Sequence, residues 1–141
     1  MPMPQQYQRA GEAFDAFLRD ARDELGHATR NQTYTTVEGV LLCFRRRLTV
    51  AQGLRFADTL PAVLRAMFVS GWDGNVPPVP FADREAMTAE VKALRRDHNF
   101  APDSAIRDVA RAISRHVDEA AFNEALAALP EQARTFWNTE T

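Results

Sequence analysis

The sequence is poor in cysteine and has no long apolar run. Cys43 is the only cysteine, so neither an internal disulfide nor a cysteine-rich metal site is expected. No stretch approaches the roughly 18 consecutive apolar residues that cross a membrane. Residues 1–6 have neither the basic nor the apolar segment of a signal peptide. These absences predict a soluble, cytoplasmic protein.

The chain also lacks the excess of positive charge that nucleic-acid-binding domains usually carry. Its 17 Lys and Arg residues are balanced by 19 Asp and Glu residues, for a net charge of -2. Affinity for nucleic acid comes largely from neutralising phosphates, so this balance argues against a nucleic-acid partner. With 45% hydrophobic and 26% charged residues, the 141-residue chain has the composition of one globular domain.

Apolar residues recur at the spacing of α-helices throughout the chain. Residues 37–48 carry valine, leucine and phenylalanine at steps of three, four, seven and eleven, and residues 14–25 and 106–117 repeat those steps. No window alternates apolar and polar residues as a strand would. The pattern therefore predicts an all-α fold with helices at 8–25, 36–47, 50–58, 60–70, 84–97, 104–116, 119–127 and 129–138.

Capping residues predict where several of these helices begin. A Ser or Thr followed three positions later by Glu or Gln can form a capping box, and an aspartate can cap free N–H groups. The predicted boxes are Thr35 with Glu38 and Thr49 with Gln52, and the predicted aspartate caps are Asp83, Asp103 and Asp118.

One segment interrupts the helical pattern. Residues 71–80 contain two glycines and three prolines, which favour a turn followed by a stiff, extended path. We therefore expect a single domain over 1–141, in which a connector at 71–82 joins a first half, 8–70, to a second half, 83–138.

The two halves resemble each other in sequence. A shift of 69 positions places 37–68 on 106–137 without a gap, and six of the 32 pairs are identical, where chance predicts about two or three. Apolar positions are matched along the same stripes. The chain is therefore predicted to have about eight helices in two pseudo-repeated four-helix halves, with superposable backbones over 37–68 and 106–137.

Several motifs resemble a known bacterial family. They are the Leu-Pro-Ala-Val-Leu-Arg run at 60–65, the Gly-Trp-Asp at 71–73, the Arg-Leu-Thr at 47–49 and the closing segment 129–137. Together they resemble the domain-of-unknown-function family DUF2267 over about residues 10–138. The resemblance implies a helical bacterial protein and lends it no activity, because none is assigned to the family.

Residues that could carry catalysis or bind a metal are few. His27, His98 and His116 are far apart and lack the spacing that places two ligands on one helix face, so they are interpreted as solvated side chains. Cys43 is predicted at the flank of an apolar stripe, where a small packing residue is expected rather than a nucleophile. With no glycine-rich phosphate loop or catalytic triad, the sequence predicts no enzyme, no cofactor and no metal.

The most basic run is Arg45-Arg46-Arg47. Consecutive helical residues fan these side chains over about 200°, so we interpret them as a solvated helix face, with contact to phosphate or an acidic partner as the alternative. Residues 49–70 have helix-turn-helix spacing. The exposed face of the second helix offers little beyond Arg65, however, whereas DNA readers place several polar side chains on base edges.

The candidate binding residues are Trp72, Arg65 and Arg134. Trp72 is expected either to fill the seam between the halves or to line a groove for a partner helix or a small ligand. Arg65 and Arg134 are expected to cover helix stems and to bond nearby oxygens. The leading function is a non-enzymatic protein-interaction or regulatory module that uses the groove between the halves or forms a homo-oligomer. The alternatives are binding of a small apolar or acidic ligand in that groove and, last, a nucleic-acid adaptor.

Overall fold

The computed structural model describes residues 2–94 and 100–140, and within these ranges it contains helices and no strands, which confirms the all-α prediction. None of these helices is long and apolar enough to span a lipid bilayer. The nine helices of the described ranges are α1 (Gln5–Gln8), α2 (Ala10–Leu25), α3 (Arg30–Arg45), α4 (Val50–Ala57), α5 (Ala62–Val69), α6 (Arg84–Ala93), α7 (Ala105–Ser114), α8 (Glu119–Ala127) and α9 (Glu131–Phe136).

Three of the predicted helix starts are confirmed. Thr49 and Gln52 form a reciprocal capping box at α4: the Thr49 hydroxyl accepts from the Gln52 amide at 3.1 Å, and the Thr49 amide donates to the Gln52 side chain at 2.9 Å. The carboxylates of Asp83 and Asp118 accept from the third amide of α6 and α8. Each contact satisfies an N–H group that the helix itself leaves unpaired.

The predicted box of Thr35 and Glu38 is wrong. Thr29 caps α3 six residues earlier and forms the box with Gln32, while Thr35 is buried in the helix interior. Both pairs fit the same pattern, but the Thr29 box comes directly after the chain has left α2 through Gly26, whose φ is 69°. The first usable cap after that turn starts the helix.

The cap predicted at Asp103 is also wrong. Ser104 immediately precedes α7, and no side chain caps its first amides. The Asp103 carboxylate instead pairs with Lys92 on α6, and Ser104 donates to Asp108 one turn into α7. The predicted helix 84–97 is observed to Ala93, and residues 95–97 lie outside the described part of the chain.

The two halves are interleaved rather than placed side by side. The first helix of the first half, α2, packs most extensively on α7 of the second half, and α6 of the second half packs on α3 of the first. Helices α4 and α8 also contact each other. An ion pair of Glu24 with Arg115 reinforces the contact of α2 with α7, and one of Glu90 with Arg46 reinforces the contact of α6 with α3.

Three pairs of helix boundaries keep the offset of 69 residues. Helices α3 and α7 end at Arg45 and Ser114, α4 and α8 begin at Val50 and Glu119, and α5 and α9 begin at Ala62 and Glu131. Exchanging each helix for its counterpart converts the α2–α7 contact into the α6–α3 contact. The superposition of 37–68 on 106–137 itself stays a prediction.

Aromatic rings from both halves meet in one core. Phe44 is fully buried, and its ring centroid lies 5.0 Å from that of Phe136 and 5.3 Å from that of Trp137. Phe56 lies 5.5 Å from Phe122 and 5.6 Å from Trp137. Because Phe44 and Phe56 belong to the first half and the other three rings to the second, Trp137 lies in the seam between them.

Candidate functional site

Trp72 packs within the first half. Gly71 has a φ of 67° and turns the chain at the end of α5, after which the indole of Trp72 lies over Gly53 of α4. A Cβ atom at Gly53 would come within 2.0 Å of that ring. The indole also meets Phe68 edge to face at 5.9 Å. The prediction that Trp72 fills the seam between the halves is therefore wrong, because Trp137 occupies the seam.

Arg45 also contacts the indole of Trp72. Its guanidinium carbon lies 5.4 Å from the ring centroid, a cation–π contact. Nη1 of Arg45 also donates to the carbonyls of Phe68 at 3.0 Å and Ser70 at 2.9 Å, where α5 ends. Burial lowers the pKa of Arg45. Trp72 is thus a half-buried ring with partners of its own, and it also forms part of the wall of a groove described below.

The interpretation of Arg45-Arg46-Arg47 as a solvated face is wrong for two of the three residues. The Arg47 side chain is only 4% exposed and forms two hydrogen bonds with Glu90 of α6, one of them 3.0 Å long. Arg46, which is more exposed, pairs with the same carboxylate. Burial alone would raise the pKa of Glu90, but its hydrogen bonds and charge interactions with Arg47 and Arg46 hold the pKa below the usual value.

The candidate nucleophile and ligands are engaged in packing and hydrogen bonds. Burial, reinforced by the charge of Glu90, raises the pKa of the Cys43 thiol to about 12, so the thiolate needed for nucleophilic attack is scarce at neutral pH. In the described ranges no three histidine, cysteine or carboxylate side chains are grouped to hold a metal ion.

The histidines are not simply solvated, as the sequence had suggested. His27 forms a hydrogen bond of 2.9 Å with the Thr36 hydroxyl, and burial lowers its pKa against an opposing effect of Asp108. His116 Nε2 lies 2.6 Å from a carboxylate oxygen of Asp20. Both residues are partly buried. His98 lies outside the described residues.

The structure does not bring Arg65, Trp72 and Arg134 together. Arg65 donates to the hydroxyl of Tyr7 at 3.3 Å and lies over the Tyr7 ring. Arg134 is exposed and has no hydrogen-bond or ion-pair partner within the described ranges. Of the three predicted residues, Arg134 is the one at the rim of a large cavity.

This cavity, which we call the second-half cavity, has a volume of about 500 Å³. The groove between α4 and α8, where the two halves meet, holds only about 170 Å³, and half of its lining residues are alanines. Binding in an inter-half groove is thus less supported than binding in the second-half cavity. The residues that line the second-half cavity are Ala110, Ser114, Val117, Glu119, Phe122, Asn123, Leu126, Arg134, Trp137, Asn138, Thr139 and Glu140.

Aromatic and aliphatic side chains form the inner part of the cavity. Phe122, Leu126 and Trp137 are buried, whereas Asn123 and Arg134 are exposed. The indole Nε1 of Trp137 is buried and has no acceptor in the described structure. A buried donor left unpaired costs about 1–3 kcal/mol. Trp137 was not among the predicted site residues, although the N–H group of a tryptophan could have indicated a polar requirement at that position.

The counterparts of three lining residues belong to a covered surface in the first half. Ser114, Val117 and Phe122 stand 69 positions after Arg45, Leu48 and Gly53. Around those earlier positions, residues of the connector form a narrow groove of about 200 Å³, the first-half groove. Its lining residues are Arg45, Arg46, Leu48, Gly71, Trp72, Asp73, Val76, Pro77 and Val79. The second-half cavity is therefore wide at positions whose counterparts in the first half lie beside the connector.

Comparison with known proteins agrees with the resemblance seen in the motifs. A family model described as "Uncharacterized conserved protein (DUF2267)" matches residues 14–136, most of the chain. No curated protein matches the sequence. The bacterial origin that the resemblance implies stays a prediction.

Proposed function

We propose a function from the chain's own residues, because the chain belongs to the DUF2267 family and that family is described only as uncharacterized. The proposed function is that of a non-enzymatic interaction module that binds a segment of a partner protein in the second-half cavity. The observation that carries the proposal is an open cavity of about 500 Å³ in which buried Phe122 and Trp137 lie beside the exposed Arg134.

The composition of this cavity suits protein recognition. Tryptophan and arginine are the residues that most often dominate the binding energy of protein interfaces, typically as an apolar centre surrounded by a polar rim. Here Trp137 and Phe122 supply the apolar centre, and Arg134, Asn123 and Glu119 supply the rim. Arg134 has no partner in the described ranges, so binding would not have to break an existing contact.

The other properties of the chain support a non-catalytic role. The Cys43 thiol is buried with a raised pKa, and the two described histidines are each held by a hydrogen bond. A cytoplasmic location is supported by the single reduced cysteine. Arg45 and Arg47 are committed to contacts inside the protein, which leaves the basic run little capacity for phosphate groups.

A small apolar or acidic ligand in the same cavity is the second candidate. The cavity volume falls within the range of about 300–1,000 Å³ typical of small-molecule sites. A carboxylate would give Arg134 an ion-pair partner. Self-association through this cavity is a third possibility that the same experiment distinguishes.

We also infer that the two halves are equivalent units related by an approximate two-fold axis. Three pairs of helix boundaries keep the offset of 69, and the main contacts between halves convert into one another when counterparts are exchanged. Helices α4 and α8, which are counterparts, contact each other as expected near such an axis. The interleaving of α2 and α6 supports the inference that the chain forms one domain rather than two bundles.

Site-specific photo-crosslinking in the native host tests the proposed function. A photoreactive amino acid is placed at Asn123, on the rim of the cavity, and at Ala89, an exposed position of α6, as a matched control. We expect one protein to be crosslinked from position 123 and not from position 89, and Arg134→Ala to reduce that product. Crosslinked products that are the same from both positions would contradict the proposal.

Native mass spectrometry of the purified protein separates the alternatives. A co-purified small molecule that is lost in an Asn123→Trp variant would replace the proposal with the second candidate. A crosslink from position 123 to another copy of the same chain would indicate self-association. Either result would show that the cavity binds something other than a separate partner protein.

A further inference from the structure

A pocket beside α2, which we call the α2–α3 pocket, is lined mainly by arginines. It has a volume of about 220 Å³, and its lining residues are Asp15, Leu18, Arg19, Arg22 and Arg30. Four of them belong to α2, and Arg30 is the first residue of α3. Three guanidinium groups share this pocket with one carboxylate, which gives the lining a formal charge of +2.

The spacing of the lining residues along α2 explains why they share the pocket. Steps of three, four and seven residues from Asp15 lead to Leu18, Arg19 and Arg22, which places all four on one face of the helix. Leu18 is buried and provides an apolar base, whereas Arg19 and Arg22 are exposed around it. The helix thus presents two long basic side chains beside one apolar residue.

Only one of the three arginines has an acidic partner in the described ranges. Arg30 forms an ion pair with Asp15, and both side chains of that pair are largely exposed. Arg19 and Arg22 have no hydrogen-bond or ion-pair partner among residues 2–94 and 100–140. Because residues three apart are neighbours on a helix surface, these two positive charges repel each other, and an anion between them would relieve that repulsion.

The charge and the size of the α2–α3 pocket favour a phosphate group. Guanidinium groups bind phosphate oxygens through paired hydrogen bonds. A phosphate monoester carries about 1.5 to 2 negative charges at neutral pH, which suits a lining of +2. Sites that enclose drug-sized ligands typically have about 300–1,000 Å³, so this smaller pocket suits a phosphate group and a short organic stem.

The surroundings of the pocket are less suitable for an extended polyanion. Glu12 and Asp23 lie seven residues before and four residues after Arg19, so they flank the same face of α2, and both are exposed. A nucleic-acid strand or an anionic membrane would extend past the pocket and would be repelled by these carboxylates. A small molecule contacts only the pocket itself.

We propose that the α2–α3 pocket binds the phosphate group of a small organic phosphate through Arg19, Arg22 and Arg30. Arg19 and Arg22 supply unpaired donors, and Arg30 shares its guanidinium group between the phosphate and Asp15. The second-half cavity is a separate site, because its lining contains two glutamates and a single arginine and shares no residue with this pocket. The inference therefore does not depend on the proposed function.

Titration of the full chain with phenyl phosphate, followed by its amide chemical shifts, tests the proposal. We expect saturable shifts at millimolar concentrations, centred on Arg19, Arg22 and Arg30. Benzoate, which carries a carboxylate on the same ring, is the control ligand and should bind about ten-fold more weakly. Equal binding of the two ligands would overturn the assignment to phosphate, and so would the absence of saturable shifts around the pocket.

Single substitutions test the roles of the lining residues. Arg22→Gln should weaken phenyl phosphate binding about ten-fold, and Asp15→Asn should strengthen it about three-fold, because it removes the negative charge of the lining and releases Arg30. Arg55→Gln makes the same change of charge as Arg22→Gln at an exposed position of α4 and should leave the affinity unchanged. Circular dichroism checks the fold, and Arg19→Gln replaces Arg22→Gln if that variant is unfolded. Equal losses in Arg55→Gln and Arg22→Gln would overturn the proposal, because binding would then follow only the net charge.

Other probes distinguish the sources of the phosphate group. Inorganic phosphate should shift the same residues but bind more weakly, because it makes no contact with Leu18, and equal affinity would rule out an organic ligand. Binding to phosphatidylcholine vesicles that contain phosphatidic acid, or to a single-stranded oligonucleotide, without a response to phenyl phosphate would overturn the proposal in favour of a membrane or a nucleic acid. Arg22→Gln should leave the photo-crosslink from position 123 unchanged, so failure of either proposal leaves the other standing.

Discussion

The two halves obtain the same aromatic packing by different routes. In the first half, Trp72 from the connector lies over Gly53 and meets Phe68 with ring centroids 5.9 Å apart and ring planes at 74°. In the second half, Phe122 stands at the position that corresponds to Gly53, and it meets Trp137 at 5.9 Å and 77°. A side chain that the first half lacks on α4 is thus replaced by a ring from outside the helices.

The surfaces of the two halves also differ. In the first half, residues 71–80 cross the end of α3, and the first-half groove has a volume of about 200 Å³. The second half fills the equivalent space from α8 itself, and its cavity keeps about 500 Å³. The two halves therefore have similar cores and different surfaces. We place the function on the more open surface, that of the second half.

The substitution Phe44→Ala, which has the largest expected effect, tests whether the halves share one core. Phe44 is fully buried and contacts both Phe136 and Trp137 of the second half. Phe44→Ala should lower the free energy of unfolding by about 3–5 kcal/mol, and both halves should unfold in a single transition. Arg46→Ala, on the exposed side of the same helix, should change it by less than about 0.5 kcal/mol.

Urea denaturation followed by circular dichroism and by tryptophan fluorescence measures both effects. Two separate transitions in the Phe44→Ala protein would show that the halves are independent bundles. Equal losses in the two variants would mean that the assignment of the helix faces is wrong.

Removal of Trp72 is expected to have the next largest effect. Its ring is half-buried and contacts Gly53, Phe68 and Arg45, so Trp72→Ala should cost about 2–3 kcal/mol, less than truncation of a fully buried ring. Trp137→Phe serves as the background, so that the emission of Trp72 can be observed alone. A red-shifted, readily quenched emission from Trp72 would contradict this packing and would favour its use as an exposed binding anchor.

The two ion pairs that join helices of different halves, Arg47 with Glu90 and His116 with Asp20, should contribute different amounts to stability. Arg47 is almost completely buried, so Glu90→Gln leaves a buried charge without its carboxylate and should cost about 2 kcal/mol. Asp20→Asn, at the more exposed contact with His116, should cost less than about 1 kcal/mol. Chemical denaturation at neutral pH compares the two variants.

The cost of Glu90→Gln should depend on pH. The folded-state pKa of Glu90 lies below its usual value of 4.5, so the carboxylate stabilises the fold fully above pH 4.5. That contribution is lost as the pH falls through the lowered pKa, because the folded state then has to bind the proton. The stability difference between wild type and Glu90→Gln should therefore shrink in acid, and a constant difference would exclude this ion pair as its source.

The substitution Gly53→Ala, with a smaller expected effect, tests directly whether the Trp72 ring occupies the space over Gly53. An alanine Cβ would lie 2.0 Å from the Trp72 ring, so Gly53→Ala should destabilise the protein by about 1–2 kcal/mol despite the better helix propensity of alanine. In a Trp72→Ala background the same change should be neutral or stabilising. A double-mutant cycle measures this coupling, and additive effects would show that the indole does not occupy that space.

Local sequence signals predicted the helices well, but they could not predict contacts between residues far apart in the sequence. Apolar periodicity and the caps at Thr49, Asp83 and Asp118 act within one or two helical turns, and they are seen in the structure. Arg47 and Trp72 were misplaced because their environments depend on α3 packing against α6 and on the turn at Gly71, which no local pattern specifies. The second-half cavity escaped notice for the same reason, although Arg134 was identified as a candidate.

The smallest expected change in stability separates the two arginines that the repeat pairs with each other. Arg65 is held by Tyr7, whereas Arg134 has no partner in the described ranges and lies on the rim of the second-half cavity. Both Arg65→Ala and Arg134→Ala should change the free energy of unfolding by less than about 0.5 kcal/mol, since Arg134 is exposed and Arg65 makes only a surface contact with Tyr7. Binding should distinguish them: Arg134→Ala is expected to lower the yield of the photo-crosslink from position 123 by about three-fold or more, and Arg65→Ala to leave that yield unchanged. Equal yields in both variants would remove Arg134 from the site, while a loss of yield in Arg65→Ala alone would move the binding surface to the first half.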